Sequence, residues 1–210
     1  MKPNTAILLA SGLTLLALVA AAAPARADCP PYVKTEVGGD YNDAGDRRDL
    51  QVVESYHFTP AVENLQHGNR SYLGGDLSYT LEHFPNHHRA LSAMAKLALR
   101  EKKAQPQGAK FNIECFFQRA LGYRPKDAKV HSIYAGYLMA QDKLGEAREH
   151  LDLAVQLEPD NATSHYNLGL LHFKQKDYAA ARRSAERAYG LGFPLPGLRN
   201  KLTEAGQWQP

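Results

Sequence analysis

The pattern of apolar and polar positions is helical over most of the chain and repeats itself near the C-terminal end. Between residues 128 and 195, apolar and small residues recur at three- and four-residue spacings, and the pattern returns after 34 positions. Tyr134 and Ala147 of the first copy correspond to Leu168 and Ala181 of the second. This period is typical of stacked helical hairpins, because a single hairpin cannot bury its apolar face alone. The sequence therefore predicts an all-α fold.

Prolines followed by polar residues divide the helical region into hairpins. Pro85, Pro125 and Pro159 each end a predicted helix, since proline disfavours helical backbone in the residue before it. Their intervals are 40 and 34 residues, and the six extra residues predict an enlarged loop near residues 102–109. The polar residues after each proline are candidate N-caps of the next helix. They are Asn86, Asp127, and Asp160 or Asn161.

The region before Pro85 carries a weaker form of the pattern. Thr59 and Pro60 read as an N-cap and a first-turn proline, and a second helix is predicted after Gly74. Residues 49–56 fit either a short helix or a short strand. The predicted organisation is a signal peptide at 1–27, an irregular N-terminal segment at 28–58, a degenerate hairpin at 59–85, a hairpin with the enlarged loop at 86–127, regular repeats at 128–161 and 162–195, and a C-terminal cap at 196–210.

The beginning of the chain has the three parts of a secretory signal peptide. Lys2 gives a positive start, residues 6–23 are almost entirely apolar, and residues 25–27 read Ala-Arg-Ala, a small-x-small cleavage site. We expect cleavage after Ala27, which leaves 183 residues without a membrane span. The alternatives are an uncleaved anchor and a lipoprotein at Cys29, although a lipoprotein needs a small residue where Asp28 stands. The alanine-rich leader favours a bacterial, periplasmic protein.

Composition narrows the class of partner. Without Lys2 and Arg26 the formal net charge falls from +3 to +1, so the chain lacks the basic excess of a nucleic acid-binding protein. Two cysteines remain, Cys29 and Cys115, and an oxidising compartment favours their pairing as a disulfide. The alternative is a buried Cys115 thiol among apolar neighbours.

Motifs for catalysis are absent from the sequence, and we expect no enzyme activity, no cofactor and no metal. It contains neither a Gly-x-Ser-x-Gly elbow nor a glycine-rich phosphate loop ending in Gly-Lys-Ser/Thr. The acidic loop Asp40–Asp46 and the region His57–His88 remain as an alternative function, a metal or small-ligand site. Against this, Ala44 stands where a calcium loop needs an oxygen ligand. Pro85 also breaks the helix that would align neighbouring histidines.

The two regular copies resemble the tetratricopeptide repeat (TPR) family. The match rests on Asn167-Leu168-Gly169, Tyr178, and the small residues of the second helices, and it extends less completely over 86–127 and 59–85. The sequence departs from the family pattern at His131 and His165, where tryptophan is favoured, and at Ala185, where a bulky residue is usual. The resemblance implies a short right-handed superhelix of about three hairpins plus a cap.

The resemblance also implies a working surface and a class of partner. In this family the first helices line a concave groove, and here its basic edges and apolar floor would suit a peptide with acidic and apolar side chains. Only Lys129 and Asn167 match the family's carboxylate clamp, which argues against that mode. The implied function is an interaction scaffold in an envelope complex, binding a protein or peptide. The predicted groove residues are Arg89, Lys96, Arg100, Lys129, Ser132, Met139, Thr163, Tyr166, Asn167, Leu170, Phe173 and Lys174.

Overall fold

The structure, a computed structural model, describes residues 29–208 and is built there from α-helices joined by turns. This range contains no strand, which confirms the predicted all-α class. The predicted signal peptide at 1–27 lies outside the described residues. After a 3₁₀ turn at Asp46–Asp49, the helices are α1 (Leu50–His57), α2 (Pro60–Glu63), α3 (Leu73–His83), α4 (His88–Glu101), α5 (Ile113–Tyr123), α6 (Ala128–Ala140), α7 (Leu144–Leu157), α8 (Ala162–Lys174), α9 (Tyr178–Gly190) and α10 (Gly197–Glu204).

Consecutive helices pack as hairpins that stack in chain order. Helix α6 packs along α7, and α8 packs along α9. Neighbouring hairpins also contact each other through their first helices, α4 with α6 and α6 with α8. This TPR-like stack, closed by α10, confirms the predicted architecture.

The core is filled by large side chains where the hairpins meet and by small ones where helices approach closely. Phe84, Phe116 and Phe117 are fully buried, and the ring of Phe117 stacks on Tyr134 with their centroids 4.4 Å apart. Ala147, also fully buried, lies on α7 where it faces α6. Packing between hairpins therefore follows the apolar positions that the 34-residue pattern indicates.

Side-chain caps begin several helices. Thr59, Asp127 and Asn161 each accept a hydrogen bond from the backbone N–H three residues later, as the sequence predicts. The prediction that Asn86 caps α4 is wrong, because the neighbouring His87 performs this role through Nδ1, 3.1 Å from a backbone nitrogen. The Asn86 side chain is instead drawn into a buried polar network, described below.

The segment predicted to be irregular contains one helix and an extended strap. Residues 50–57 form α1, so of the two structures that the sequence allowed for residues 49–56, a short helix or a short strand, the helix is the one observed. Residues 29–45, here called the N-terminal strap, cross the ends of α3 and α5. The backbone N–H of Gly39 and the hydroxyl of Tyr32 both donate to the carbonyl of His83, at 2.9 and 3.0 Å. A disulfide joins Cys29 to Cys115, whose Cα atoms are 5.5 Å apart, and confirms the predicted pairing.

The C-terminal helix α10 covers the last hairpin, and two small residues make room for it. Leu198 and Leu202 are fully buried in a cluster with Ala181 and Ala185. A Cβ atom at Gly169 would lie 2.4 Å from the Leu198 side chain. The departure from the family pattern at Ala185 therefore provides space for the cap helix.

The histidines at the family's tryptophan position share one role, which sequence reasoning missed. Nε2 of His131 lies 2.9 Å from the carbonyl of Pro125, and Nε2 of His165 lies 2.8 Å from that of Pro159. A carbonyl only accepts, so each Nε2 carries a hydrogen and ties its helix to the preceding turn. Nδ1 of His131 is 2.8 Å from Nδ1 of His150. With His131 neutral, its Nδ1 accepts and His150 donates.

Protonation of His150 is expected to destabilise the fold. Burial, and then the adjacent His131, lower the pKa of His150 from 6.5 to about 4. The unfolded chain takes up this proton at higher pH than the folded chain does. The free energy of unfolding is therefore unaffected by His150 above pH 6.5, and it decreases as the pH falls from there toward 4. The loss reaches up to about 1.4 kcal/mol per pH unit.

Urea unfolding across this pH range measures the effect. Burial also lowers the pKa of His87 and His172, so the wild-type dependence has several contributions. The variant His150→Gln should therefore show a shallower slope, not a flat one. A variant with the wild-type slope would show that His150 is not protonated in this way.

Candidate functional site

Two cavities lie along the face formed by the first helices α6 and α8. The first has a volume of about 210 Å³ and lies at the start of both helices. The second, of about 510 Å³, lies at their ends and extends to α9 and α10. The first is lined by His88, Lys129, Ser132, Ile133, Asn161, Thr163 and Asn167. The second is lined by Met139, Ala140, Leu170, Phe173, Lys174, Lys176, Tyr178 and Lys201.

The first cavity is bordered mainly by polar side chains, although most of its exposed surface is apolar, and it carries an unpaired cation. Lys129 is exposed and forms no ion pair with any residue between 29 and 208. Nδ2 of Asn167 donates to the hydroxyl of Ser132 at 3.0 Å, which fixes the two helices to each other at this point. Helices α6 and α8 both begin here, and helix N-termini contribute positive potential. The cavity is therefore suited to a carboxylate.

The second cavity has an apolar floor and a rim of lysines. Phe173 packs edge-to-face on Tyr178 with ring centroids 5.4 Å apart, and the ammonium of Lys201 lies 5.9 Å from the Phe173 ring. Lys174 forms an ion pair with Asp142 at 3.0 Å, so its charge is already partly compensated. This cavity is suited to an apolar side chain in an acidic sequence context.

The predicted basic residues of α4 are directed toward the hairpin before it. Arg89 forms a bidentate ion pair with Glu63 on α2, and this hydrogen bonding raises the pKa of Arg89 and lowers that of Glu63. Arg100 donates to the carbonyl of Leu65 at 2.7 Å. Lys96 is exposed and has no ion pair within the described part of the chain. Helix α2 and the residues after it therefore occupy this end of the predicted groove.

Tyr166 lines neither cavity. Its ring stacks on Phe193 with centroids 4.0 Å apart, and its hydroxyl lies 2.8 Å from where a Cβ of Gly197 would be. Tyr166 thus packs against the segment that leads into the cap. Eight of the twelve predicted groove residues line the two cavities, and Arg89, Lys96, Arg100 and Tyr166 do not. Sequence reasoning considered only first helices, so it missed Tyr178 on α9 and Lys201 on the cap.

A buried polar network connects the N-terminal strap to two turns of the stack. Nδ2 of Asn86 donates to Asp40 at 2.7 Å and to Asp127 at 2.9 Å, and Nδ2 of Asn42 also donates to Asp127 at 2.9 Å. Nε2 of His88, a residue of the first cavity, lies 2.9 Å from Asp127. Burial opposes ionisation of Asp127, but its interactions with His88 and Asn86 outweigh burial and lower its pKa to about 2. The network thus links the strap to the groove.

The regions of the alternative metal-site hypothesis use their side chains for internal bonds. Within residues 29–208, no three His, Cys, Asp or Glu side chains converge in a way that could hold a metal ion. In the acidic loop, Asp43 accepts from the backbone of Gly45 and Asp46 accepts from that of Asp40. The histidines engage separate carboxylates, in the pairs His57–Asp76, His87–Glu54 and His88–Asp127.

Sequence comparison identifies the repeat. A family model described as "TPR repeat" matches residues 138–176. The chain is 37% identical over 60 residues to the mitochondrial import receptor subunit TOM70 of Homo sapiens, covering 29% of this chain and 10% of that protein. It is 37% identical over 78 residues to the protein O-mannosyl-transferase TMTC1 of Mus musculus, covering 35% and 8%. The chain thus spans about a tenth of the length of these curated relatives.

Structural comparison identifies the arrangement of the hairpins. The solved structure of Pseudomonas aeruginosa pilF matches with a TM-score of 0.52 and 23% sequence identity, covering 75% of this chain and 68% of that one. The chain thus contains a TPR repeat at residues 138–176, and its fold is similar to that of pilF. TPR domains commonly serve as protein-interaction scaffolds and are typically non-catalytic. None of the helices in the described range is both long and apolar enough to cross a membrane.

Proposed function

We propose that this protein is a periplasmic adaptor that holds a peptide segment of a partner protein in the groove of α6 and α8, as part of an envelope complex. The observation that carries the proposal is that two cavities lie along the same two helices, one beside the exposed Lys129 and one over the ring of Phe173. Peptide-binding grooves commonly combine one charged anchor with apolar pockets. The export signal predicted at residues 1–27, together with the Cys29–Cys115 disulfide, supports an oxidising compartment.

The distance between the cavities defines the spacing of the partner's side chains. Ser132 lines the first cavity and Met139 the second, seven residues along α6, which is about 10 Å at ~1.5 Å per residue. An extended peptide advances ~3.3 Å per residue, so this distance corresponds to about three residues. The partner segment would therefore carry a carboxylate in the first cavity and an apolar side chain about three residues away, over Phe173.

Photocrosslinking in cells tests this function. A photoreactive amino acid in place of Thr163, which is exposed at the first cavity, should crosslink to one discrete partner. In the same background, Lys129→Glu should reduce that product about tenfold, because it reverses the charge that the carboxylate meets. Phe173→Ala should also reduce it, through loss of the apolar contact.

Controls separate groove binding from non-specific association. The same photoreactive residue at Glu149, which is exposed on the second helix α7, should give no such product. Lys126→Glu reverses an exposed lysine in the preceding turn and should leave the product unchanged. Crosslinks that form only from position 149, or that survive both groove substitutions, would show that the groove is not the binding surface.

A further inference from the structure

One end of the hairpin stack carries an uncovered apolar face. Helix α1 packs on α3 and the 3₁₀ turn, and no described element covers its outer side. Val52 and Tyr56 on this side are 61% and 49% exposed. At the other end, α10 buries its leucines and turns polar residues outward. Stacked repeats usually need such a polar cap at both ends to remain apart in solution.

The exposed apolar residues of this end converge on one open cavity of about 590 Å³. Among residues 29–208, seven large hydrophobic side chains are exposed, and four of them line this cavity. Those four are Val37, Val52, Tyr56 and Tyr79. Scattered exposed hydrophobic residues need no explanation, whereas a contiguous group marks an interaction site. This surface, here called the α1 face, is separate from the groove of α6 and α8.

The walls of the α1 face are held in place by buried bonds. Nδ1 of His57 lies 2.9 Å from the fully buried Asp76, and the His57 ring stacks on Tyr79 with centroids 3.8 Å apart. Asp76 also accepts from the backbone N–H groups of Asn69 and Arg70, at 2.6 and 3.1 Å. A rigid surface loses little conformational entropy on binding, which favours its use as an interface.

Opposite charges stand at the two ends of α1. Asp49 precedes the helix, makes no side-chain cap bond and forms no ion pair within the described range. The guanidinium of Arg70 lies 4.8 Å from the ring centroid of Tyr56, and so marks the other end of the helix. Seven residues separate Asp49 from Tyr56, which is two helical turns or about 10 Å.

We infer that the α1 face pairs with the same face of a second copy of this chain, with the two α1 helices antiparallel about a two-fold axis near Val52. In this arrangement the start of one α1 meets the end of the other. Asp49 of each copy then faces Arg70 of the other, while Val52 and Tyr56 meet between them. A two-fold interface must be self-complementary, and an apolar centre flanked by one acid and one base meets this requirement.

The size of the surface determines the strength of the pairing. Two short helices and their flanking side chains form a small interface, so the dimer should dissociate on dilution through the micromolar range. Its charge pairs are near the surface and should weaken in high salt. Because the groove of α6 and α8 stays open, the dimer would present two grooves to a partner and could bind a repeated motif more tightly than either groove alone.

Sedimentation velocity over a dilution series of the purified protein tests the pairing. We expect a monomer–dimer equilibrium for the wild type and a monomer at every concentration for Val52→Glu, which buries a charge in the apolar centre. The matched control is Val33→Glu, because Val33 is 72% exposed on the strap and does not line the cavity. This control should keep the wild-type equilibrium. Thermal unfolding followed by circular dichroism checks that both variants are folded.

Charge exchange tests the orientation of the two copies. Asp49→Arg and Arg70→Asp should each weaken dimerisation at least tenfold, because each places like charges across the two-fold axis. The double variant should recover most of the wild-type affinity, since opposite charges then meet again. A wild type that remains monomeric would overturn the inference. So would a dimer that survives Val52→Glu, a double variant that fails to recover, or native mass spectrometry that finds a small molecule bound in place of a second copy.

Discussion

Loss of the Cys29–Cys115 disulfide should lower the free energy of unfolding by roughly 4 kcal/mol. The bond closes a loop across a sequence separation of 86, and closing a loop of this length removes much conformational freedom from the unfolded chain. In the folded state it anchors the start of the strap to α5. The strap's other contacts include aromatic pairs such as Tyr32 with Tyr123, and hydrogen bonds such as the one from Gly39 to the carbonyl of His83.

Urea unfolding of a Cys29→Ser/Cys115→Ser double variant measures this effect. The double variant should unfold at lower urea concentration, and a reducing agent should shift the wild type in the same direction. The same reagent should leave the variant unchanged, which controls for other effects of reduction. Hydrogen exchange should show faster exchange at Gly39, whose amide the strap holds against α3. A variant as stable as the oxidised wild type would mean that the strap's other contacts suffice.

Replacement of Asp127 by alanine should destabilise the protein by about 3 kcal/mol. About 1 kcal/mol of this is the lost N-cap of α6. The remainder comes mainly from the buried Asn86 amide, which loses an acceptor, since an unsatisfied buried polar group costs about 1–3 kcal/mol. The half-buried His88 and the exposed Asn42 lose the same acceptor. Local helix capping alone would therefore account for only a part of the loss.

Asp177→Ala is the matched control for this prediction. Asp177 caps α9 in the same way, 3.0 Å from the nitrogen of Ala180, but it is exposed and has no comparable network. Its replacement should cost about 1 kcal/mol.

The stability of the two variants should also depend differently on acidic pH. The lowered pKa of Asp127 stabilises the fold above pH 3.8, and this contribution is lost as the pH falls toward 2, so Asp127→Ala alone should lack this phase. Equal destabilisation by both variants would contradict a role for the network.

The helices and their order could be predicted because the information for them is local. The 34-residue period, the prolines at helix ends and caps such as Asp127 act over one or two turns of chain. The disulfide could also be anticipated, from the presence of two cysteines and the prediction of an export signal. The two cavities follow the first helices α6 and α8, and most of their lining residues were accessible from the repeat pattern for the same reason.

The remaining features depend on contacts between segments that are distant in sequence. Asn86 is of a residue type that commonly caps helices, yet its amide donates to Asp40, 46 residues earlier in the chain. His87 caps α4 instead. Arg89 was predicted to face a partner but pairs with Glu63, because the degenerate hairpin still supplies a first helix beside α4. Lys201 lines the second cavity because helix α10 packs back against the last hairpin, and the repeat pattern does not predict that contact.

Because of the strap, the hairpins of this stack should not all unfold independently of one another. In an ordinary array each hairpin contacts only its neighbours, and unfolding can begin at either end. Here the strap runs from Cys29, which is bonded to Cys115 of α5, across the end of α3, to the turns before α4 and α6. It therefore binds three hairpins into one unit that must open together. The last hairpin and α10 lie beyond its reach, so the protein should fray from its C-terminal end, where the apolar cavity of the groove lies.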